Sequence, residues 1–365
     1  MGHQEVLALR AKSAESPRPF GSEWKREFPF DPEWHNLNHG SFGTYPKHIR
    51  DRLRAYQDQA EARPDPFIFY EQPKRIDAAR EELARLVHAP LDTVVFVGNA
   101  TDGVNTVLRN LAWAEDGKDV ILSFSTIYEA CGKSADYLAE YFEGKLEHRG
   151  IAITYPLEDE EIIRAFRTTV KEIQDEGKRA KVCIFDVVSS RPGVVFPWMD
   201  MVKACKELGI ISLVDGAQGI GMVHLDLTAA DPDFFVSNCH KWLHVPRGCA
   251  LVADALGTTY LDNSKGTMTN CAMGNVSLPV WVGERGEGAK ETDIVVPEED
   301  RDTVFQWITE TLVRDYRTFM LRFIMGNRYW IRISAQIYLD LADYEFAAKA
   351  LGDICERIGK REYLK

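Results

Sequence analysis

The residues best placed to do chemistry are a lysine and an aspartate, each at the end of an apolar run. Lys241 closes "DFFVSNCHK", flanked by His240 and Trp242, and Asp215 closes "IISLVD". An apolar run of strand length that stops at polar residues is how a buried parallel strand reads where its carboxyl end opens into a site. A lysine desolvated there loses its proton and attacks a carbonyl as a neutral amine, which is Schiff-base chemistry. An aspartate on a neighbouring strand end holds a pyridinium nitrogen protonated, and the two together are what pyridoxal phosphate (PLP) requires. Taken singly, Asp215 reads as a helix cap and Lys241 as a solvated charge; their combination favours the cofactor.

Other strand ends supply further candidates. "VVFVGNATDG" followed by Val104, Val107, Leu108 and Leu111 predicts a strand, a tight turn and a helix N-terminus. Amides at Ala100 and Thr101 with the Thr101 hydroxyl would hold a phosphate there, and plain capping by Asn99 or Thr101 is the competing reading. Neither the dinucleotide nor the Walker glycine pattern is present. "ILSFSTIY" ends at Tyr128, whose ring could stack and whose hydroxyl could act as an acid toward a leaving group. Cys131 reads as a buried thiol. "IFDVVSSRPG" places Asp186 and Ser190 at another strand end, and "LNHGSFG", containing Asn38, is a turn whose glycines permit close backbone approach.

The motifs "VDGAQ" and "SNCHKW" resemble those of the fold-type I, class V aminotransferase superfamily. "NLNHGSFGTYP", "EARPDPF", "VGNATDGVNTVLRN" and "IYEACGK" are similar to the fungal branch of hercynylcysteine sulfoxide lyases and loline-pathway enzymes. The resemblance runs from Phe20 onward. It implies PLP, a homodimer and specific roles: Tyr128 stacked on the pyridine ring, Ser190 and Gln218 on the cofactor's phenolic oxygen, His240 on its phosphate, Asn38 near substrate. Arg332, in the "RIS" run, would bind the substrate carboxylate in the two-pronged way a guanidinium allows. Asn238 departs from the serine that cysteine desulfurases carry three residues before the lysine, which leaves one phosphate contact open. The resemblance favours a carbon–sulfur lyase; aminotransferase and epimerase chemistry share the same apparatus, and an inactive or regulatory homologue is the alternative of another class.

Strand-like runs at "TVVFVG", "DVILSF", "IAITYP", "VCIFDV", "IISLV", "DFFVS" and "CALVA" predict an α/β fold with a doubly wound, mostly parallel seven-stranded sheet. The expected organisation is a tail and arm over 1–35, a PLP-binding domain over 36–252 and a smaller α+β domain over 253–365. Helices are expected from Pro46, with Ile49, Leu53 and Tyr56 on one face, and from Pro73; "EARPDPFIFYEQ" between them is expected to be a loop. Val252 runs almost directly into residues resembling the start of the family's small domain, so a segment on the order of a hundred residues is expected to be missing.

The chain has 365 residues, 45% of them hydrophobic, enough for a large core. Its net charge of -12 argues against nucleic acid or an anionic membrane as partner. No window reaches the apolar length of a membrane span and no signal peptide opens the chain, so the cytoplasm is expected. Seven cysteines without paired ligand spacing predict no disulfide and no metal.

Overall fold

The computed structural model describes residues 19–242 and 261–364. Short helix α1 (His39–Phe42) precedes α2 (Lys47–Ala62) and α3 (Gln72–Leu86). Then come α4 (Ala100–Asn110), β1 (Asp119–Phe124), α5 (Glu129–Tyr141), β2 (Leu146–Ile151), α6 (Asp159–Asp175), β3 (Arg179–Asp186), α7 (Trp198–Leu208) and β4 (Ile211–Asp215). β5 (Phe234–Val236) leads into α8 (Cys239–Trp242). Beyond residue 261 follow β6 (Met273–Val282), β7 (Ile294–Val296), α9 (Arg301–Tyr316), β8 (Leu321–Met325), β9 (Arg328–Ser334) and α10 (Leu341–Gly359).

The first five strands form an all-parallel sheet in the order β2-β1-β3-β4-β5. Strand periodicity sends alternate side chains to opposite faces. Val120, Leu122 and Phe124 pack with Phe166 of α6 and Met201 of α7, while Ile121, Ile184 and Leu213 pack with Leu108 of α4 and Leu138 of α5. Each face buries one set of helices, which is the doubly wound arrangement expected.

Three local expectations are corrected. "TVVFVG" forms no strand: Leu91–Thr93 is a single 3-10 turn, and Val95, Phe96 and Val97 that follow it are exposed. "IAITYP" lies after its strand, because β2 ends at Ile151. The segment expected to be a loop is helical, with Pro64–Pro66 in an α turn and Phe67–Glu71 in a π turn that runs into α3. Pro64 and Pro66 sit in the first turn, where a missing N–H costs nothing. Five parallel strands are therefore described against the seven expected, and "CALVA" lies outside the described residues, as does the junction after Val252.

The second sheet has the order β7-β6-β9-β8, with β6–β7 parallel and the other pairs antiparallel. Val276, Leu278 and Val280 of β6 and Ile331 and Ile333 of β9 pack on Ile308 of α9 and Ile354 of α10. The intervening residue on β9, Arg332, must then project from the opposite face, toward the strand ends of the first sheet. Asn275 of β6 fixes that approach by accepting from Gly193 N–H (2.9 Å) and donating to Gly193 C=O (3.0 Å). A side chain at position 193 would collide with Arg332 Cδ, 2.9 Å from its Cβ.

Candidate active site

Asp186 and Asp215 end β3 and β4 as Cα partners in the parallel ladder. Both are buried. Asp215 Oδ1 accepts from Ala217 N–H at 2.9 Å, and Cys131 Sγ lies 3.6 Å from Oδ2. Burial pushes Asp215 above the usual carboxylate range, against the Ala217 amide and Lys241. It pushes Asp186 up further, reinforced by the charge of Asp215 and opposed by Lys241. Two carboxylates this close share a site in which one is favoured in the neutral form.

Lys241 stands on the single turn of α8. Its neighbour Trp242 is the anchor, fully buried, with Nε1 donating to Gln218 Oε1. Gln218 Nε2 donates to Gly40 C=O at 2.7 Å, so the α1 turn, Gln218 and α8 are one hydrogen-bonded unit. That packing leaves no room for a side chain at either glycine: a Cβ at Gly40 would lie 2.6 Å from the Trp242 ring, and one at Gly43 1.9 Å from the His240 carbonyl. Gly43 also has φ 65, in the left-handed region that glycine adopts freely. Burial lowers the Lys241 pKa, with Arg332 pulling the same way and Asp215 and Asp186 opposing. Its Nζ sits 5.9 Å from the centroid of the Tyr128 ring, which is exposed at the N-terminus of α5.

Arg332 is fully buried, yet among the described residues it pairs with no carboxylate. Its Nη1 donates to Ser190 C=O (2.7 Å) and lies 3.3 Å from Ser190 Oγ, while Nη2 donates to Asn38 Oδ1 (3.0 Å) and to Ser41 Oγ (3.1 Å). Nε has no partner. Burial draws its pKa down to about 10, helped by Arg191. A buried cation held by neutral groups awaits an anion.

At the start of α4, Asn99 caps the helix by accepting from Asp102 N–H (2.9 Å), and Ala100 N–H donates to Asn238 Oδ1 (3.1 Å). Thr101 follows in the same turn, near Cys131. His240 is exposed, and its pKa is lowered by desolvation and by the charge of Lys241. The structure thus gathers Asn38, Tyr128, Ser190, Asp215, Lys241 and Arg332 around one space, with Gln218 beneath α8 and Ala100 and Thr101 at a helix start joined to it by Asn238.

Two residues gain a place that the sequence reading did not give them. Asp186 was placed at a strand end without a role; the signal was that "IFD" and "LVD" end alike. Asn238 is the link between α8 and α4. A further Ser–His–Asp arrangement, Ser123 Oγ 2.8 Å from His148 Nε2 and His148 Nδ1 2.6 Å from Asp136 Oδ1, holds the edge strand β2. Ser123 is buried within β1, out of reach of a substrate. No group of three or more metal-ligating side chains is arranged for an ion among the described residues, and the six described cysteines are free. No described helix is long and apolar enough to cross a membrane.

The sequence model described as Aminotransferase class-V matches residues 69–256, which include Asp215 and Lys241. The chain belongs to this family. Class-V aminotransferase family members are PLP enzymes, and the donor set fits that cofactor. Lys241 is a desolvated amine, Asp215 a buried acid at a strand end, and Tyr128 an exposed aromatic face beside the amine. At the start of α4 Asn238 already holds the first amide, which leaves the Thr101 hydroxyl as the neighbouring donor that could take a phosphate.

Curated relatives include the L-cysteine desulfhydrase-like protein lolT1 of Epichloe uncinata, 28% identical, with 94% of this chain and 98% of that protein covered. The hercynylcysteine sulfoxide lyase of Schizosaccharomyces pombe is 33% identical over 64% of this chain and 57% of its own. Among solved structures, the cystine C–S lyase C-DES in complex with cysteine persulfide matches with a TM-score of 0.70 at 14% identity, covering 89% of this chain and 99% of that one. The cysteine desulfurase of Thermococcus onnurineus NA1 matches with a TM-score of 0.65 at 12% identity, covering 93% and 99%. These last two show the class-V fold.

Proposed function

We propose that this chain carries the apparatus of a PLP-dependent carbon–sulfur lyase acting on an S-substituted cysteine of the hercynylcysteine sulfoxide kind. The observation that carries an amino-acid substrate is Arg332, a buried guanidinium beside the lysine that has no acid partner among the described residues. Its open Nε and its Nη groups would take the substrate carboxylate, steered by Asn38 and Ser190. The reading of the sulfur chemistry is supported by the relatives, an L-cysteine desulfhydrase-like protein and a hercynylcysteine sulfoxide lyase.

When bound, PLP supplies a sink for the electrons released at the substrate's alpha carbon. Lys241, kept short of its usual basicity by burial, takes the alpha proton. Asp215 would hold the proton on the ring nitrogen and Ser190 would face the phenolic oxygen, with Gln218, whose amide is engaged by Gly40 and Trp242, supporting that wall from beneath α8. As the carbon–sulfur bond breaks, its electron pair leaves with sulfur, which takes a proton from Tyr128 or water. Water then converts the three-carbon remainder to pyruvate and ammonium. Incubation with an S-alkyl cysteine sulfoxide tests this: pyruvate and ammonium without added keto acid support elimination. A keto acid formed only when a second keto acid is supplied would replace it with transamination.

A second reading rests on a separate observation. The alignment with lolT1 spans 447 positions, more than the 365 residues of this chain, so that relative has a stretch without a counterpart here. With the abrupt passage after Val252, this supports an internal shortening of the kind expected from the sequence, leaving a chain that retains PLP weakly. The exposed side chains of Ile49, Leu53, Ile68, Phe69, Tyr70 and Ile76 on α2, the π turn and α3 suit burial against a second copy, which supports reading the chain as a homodimer. Purification of the 365-residue chain decides: a stable dimer with stoichiometric PLP and sustained turnover would show that nothing essential is missing.

A further inference from the structure

Beyond Tyr128 and Ser190 a cavity of about 580 Å3 opens between the strand ends of the parallel sheet and the α9–β8 side of the second sheet. That volume lies in the range that holds a drug-sized ligand, far more than a thiol needs. Its base holds two hydroxyls, those of Thr126 and Tyr155, buried and without a hydrogen-bond partner. Ser189 and Thr126 stand beside the Tyr155 oxygen but neither meets it in hydrogen-bond geometry, the Ser189 hydroxyl being turned to Pro192 C=O at 2.7 Å. Burial, and then the charge of Asp186, raise the Tyr155 pKa, so it stays a neutral donor.

An unmet buried donor lowers the stability of the empty protein, and a ligand acceptor removes that defect. The walls include Phe305, Phe323 and Met325. At the solvent end stand Arg191 and Arg301, each in a long, solvent-exposed ion pair, Glu129 at 3.7 Å from Arg191 and Glu298 at 3.5 Å from Arg301, which an incoming carboxylate can displace. Asp302 is the cavity's one lining carboxylate. The chemistry of the lining is therefore donors within, aromatic and apolar surface between, and cationic forks at the mouth.

We propose that this cavity is the leaving-group subsite, taking a sulfur substituent that offers an acceptor to the Thr126 and Tyr155 hydroxyls close to the sulfur and a carboxylate to Arg191 and Arg301 at its outer end. The assignment rests on the lyase reading for the position of the sulfur. It makes Tyr155 and Arg191 specificity-determining residues. Free cysteine, which reaches neither, is a poor substrate.

The test uses the 365-residue chain saturated with PLP and four ligands: L-cysteine, S-propyl-L-cysteine, S-carboxyethyl-L-cysteine and the sulfoxide of the last. Affinity is read from ligand-induced shifts in melting temperature, and pyruvate release is followed in parallel. The carboxyethyl compound binds about tenfold more tightly than the propyl one, and Arg191→Gln brings that ratio toward one. The sulfoxide binds about tenfold more tightly than its thioether, and Tyr155→Phe removes that preference while the unliganded melting temperature holds or rises. Equal affinities for the propyl and carboxyethyl compounds overturn the proposal. So does a Tyr155→Phe chain that melts lower and keeps the sulfoxide preference, since the hydroxyl would then be structural. The expected binding order together with a keto acid released only when a second keto acid is present keeps the subsite and overturns elimination instead.

Discussion

Asp119 and the Asp186–Asp215 pair are buried carboxylates at opposite ends of one sheet, and their surroundings differ in kind. Asp119, at the start of β1, accepts from Ala114 N–H at 2.8 Å and meets Arg179 Nε at 2.6 Å and Lys181 Nζ at 3.1 Å. Burial works against its charge, but the Ala114 amide and the two cations outweigh it, and its pKa falls below the usual range. Among the described residues Asp186 and Asp215 have one backbone donor between them and a lysine whose own basicity burial lowers, and both rise. The same residue type at the same depth is completed by the fold at one end of the strands and left incomplete at the other. The incomplete end is where a ligand must finish the arrangement.

That contrast can be broken by substitution. Asp215→Asn should lower turnover of the loaded enzyme by several orders of magnitude while the fold persists, because an amide cannot hold a ring nitrogen protonated; steady-state kinetics and circular dichroism check both halves. Arg332→Lys should raise KM for the amino acid by about tenfold or more, since an ammonium cannot reproduce the forked contact, with cofactor absorbance retained. Loss of cofactor instead would show that Arg332 faces PLP and not substrate.

Asp119→Asn should act in the opposite sense, costing about 2 kcal/mol of stability, with little change in kcat; the figure is modest because Arg179 and Lys181 are partly exposed and screened. Its lowered pKa means that the stability it gives is present above the ordinary carboxylate value and lost as pH falls through the folded value. The sign reverses for Asp186. A carboxyl raised in the folded state gives stability that is present below about pH 4 and is lost as pH rises toward the folded value. The groups facing it are Asp215, Lys241, Cys131 and Tyr155. Asp186→Asn should therefore raise the melting temperature of the cofactor-free chain at neutral pH by a few degrees and flatten its decline above pH 4; a lower melting temperature would mean the carboxylate is needed as a charge.

The contrast also separates what was legible in the sequence from what was not. "DVILSF", "VCIFDV" and "IISLV" are continuous apolar runs, and strands covered by helices on both faces need that pattern, so the parallel sheet could be read directly. Lys241, Asp215 and Arg332 stood out because a charge interrupts such a run. "TVVFVG" has the same composition but no neighbour to pair with among the described residues, and pairing is a tertiary property that periodicity does not carry. "EARPDPFIFYEQ" reads as a loop because proline ends most helices, yet Pro64 and Pro66 fall where a helix begins. The apolar stripe of α2 was legible as a helix, yet it faces outward, since a period says which side is apolar and not what covers it. Tyr155 was illegible as a site residue because only the fold brings the turn after β2 to the same space.

The central claim is that Lys241 is the amine that carries PLP. Incubating the 365-residue chain with PLP, reducing with borohydride and mapping the modified peptide by mass spectrometry tests it directly. The account requires a visible absorbance band that reduction abolishes, with the pyridoxyl mass on Lys241 in the wild type and absent from Lys241→Ala. A pyridoxyl group fixed on another lysine, or an unchanged band in Lys241→Ala, would contradict it.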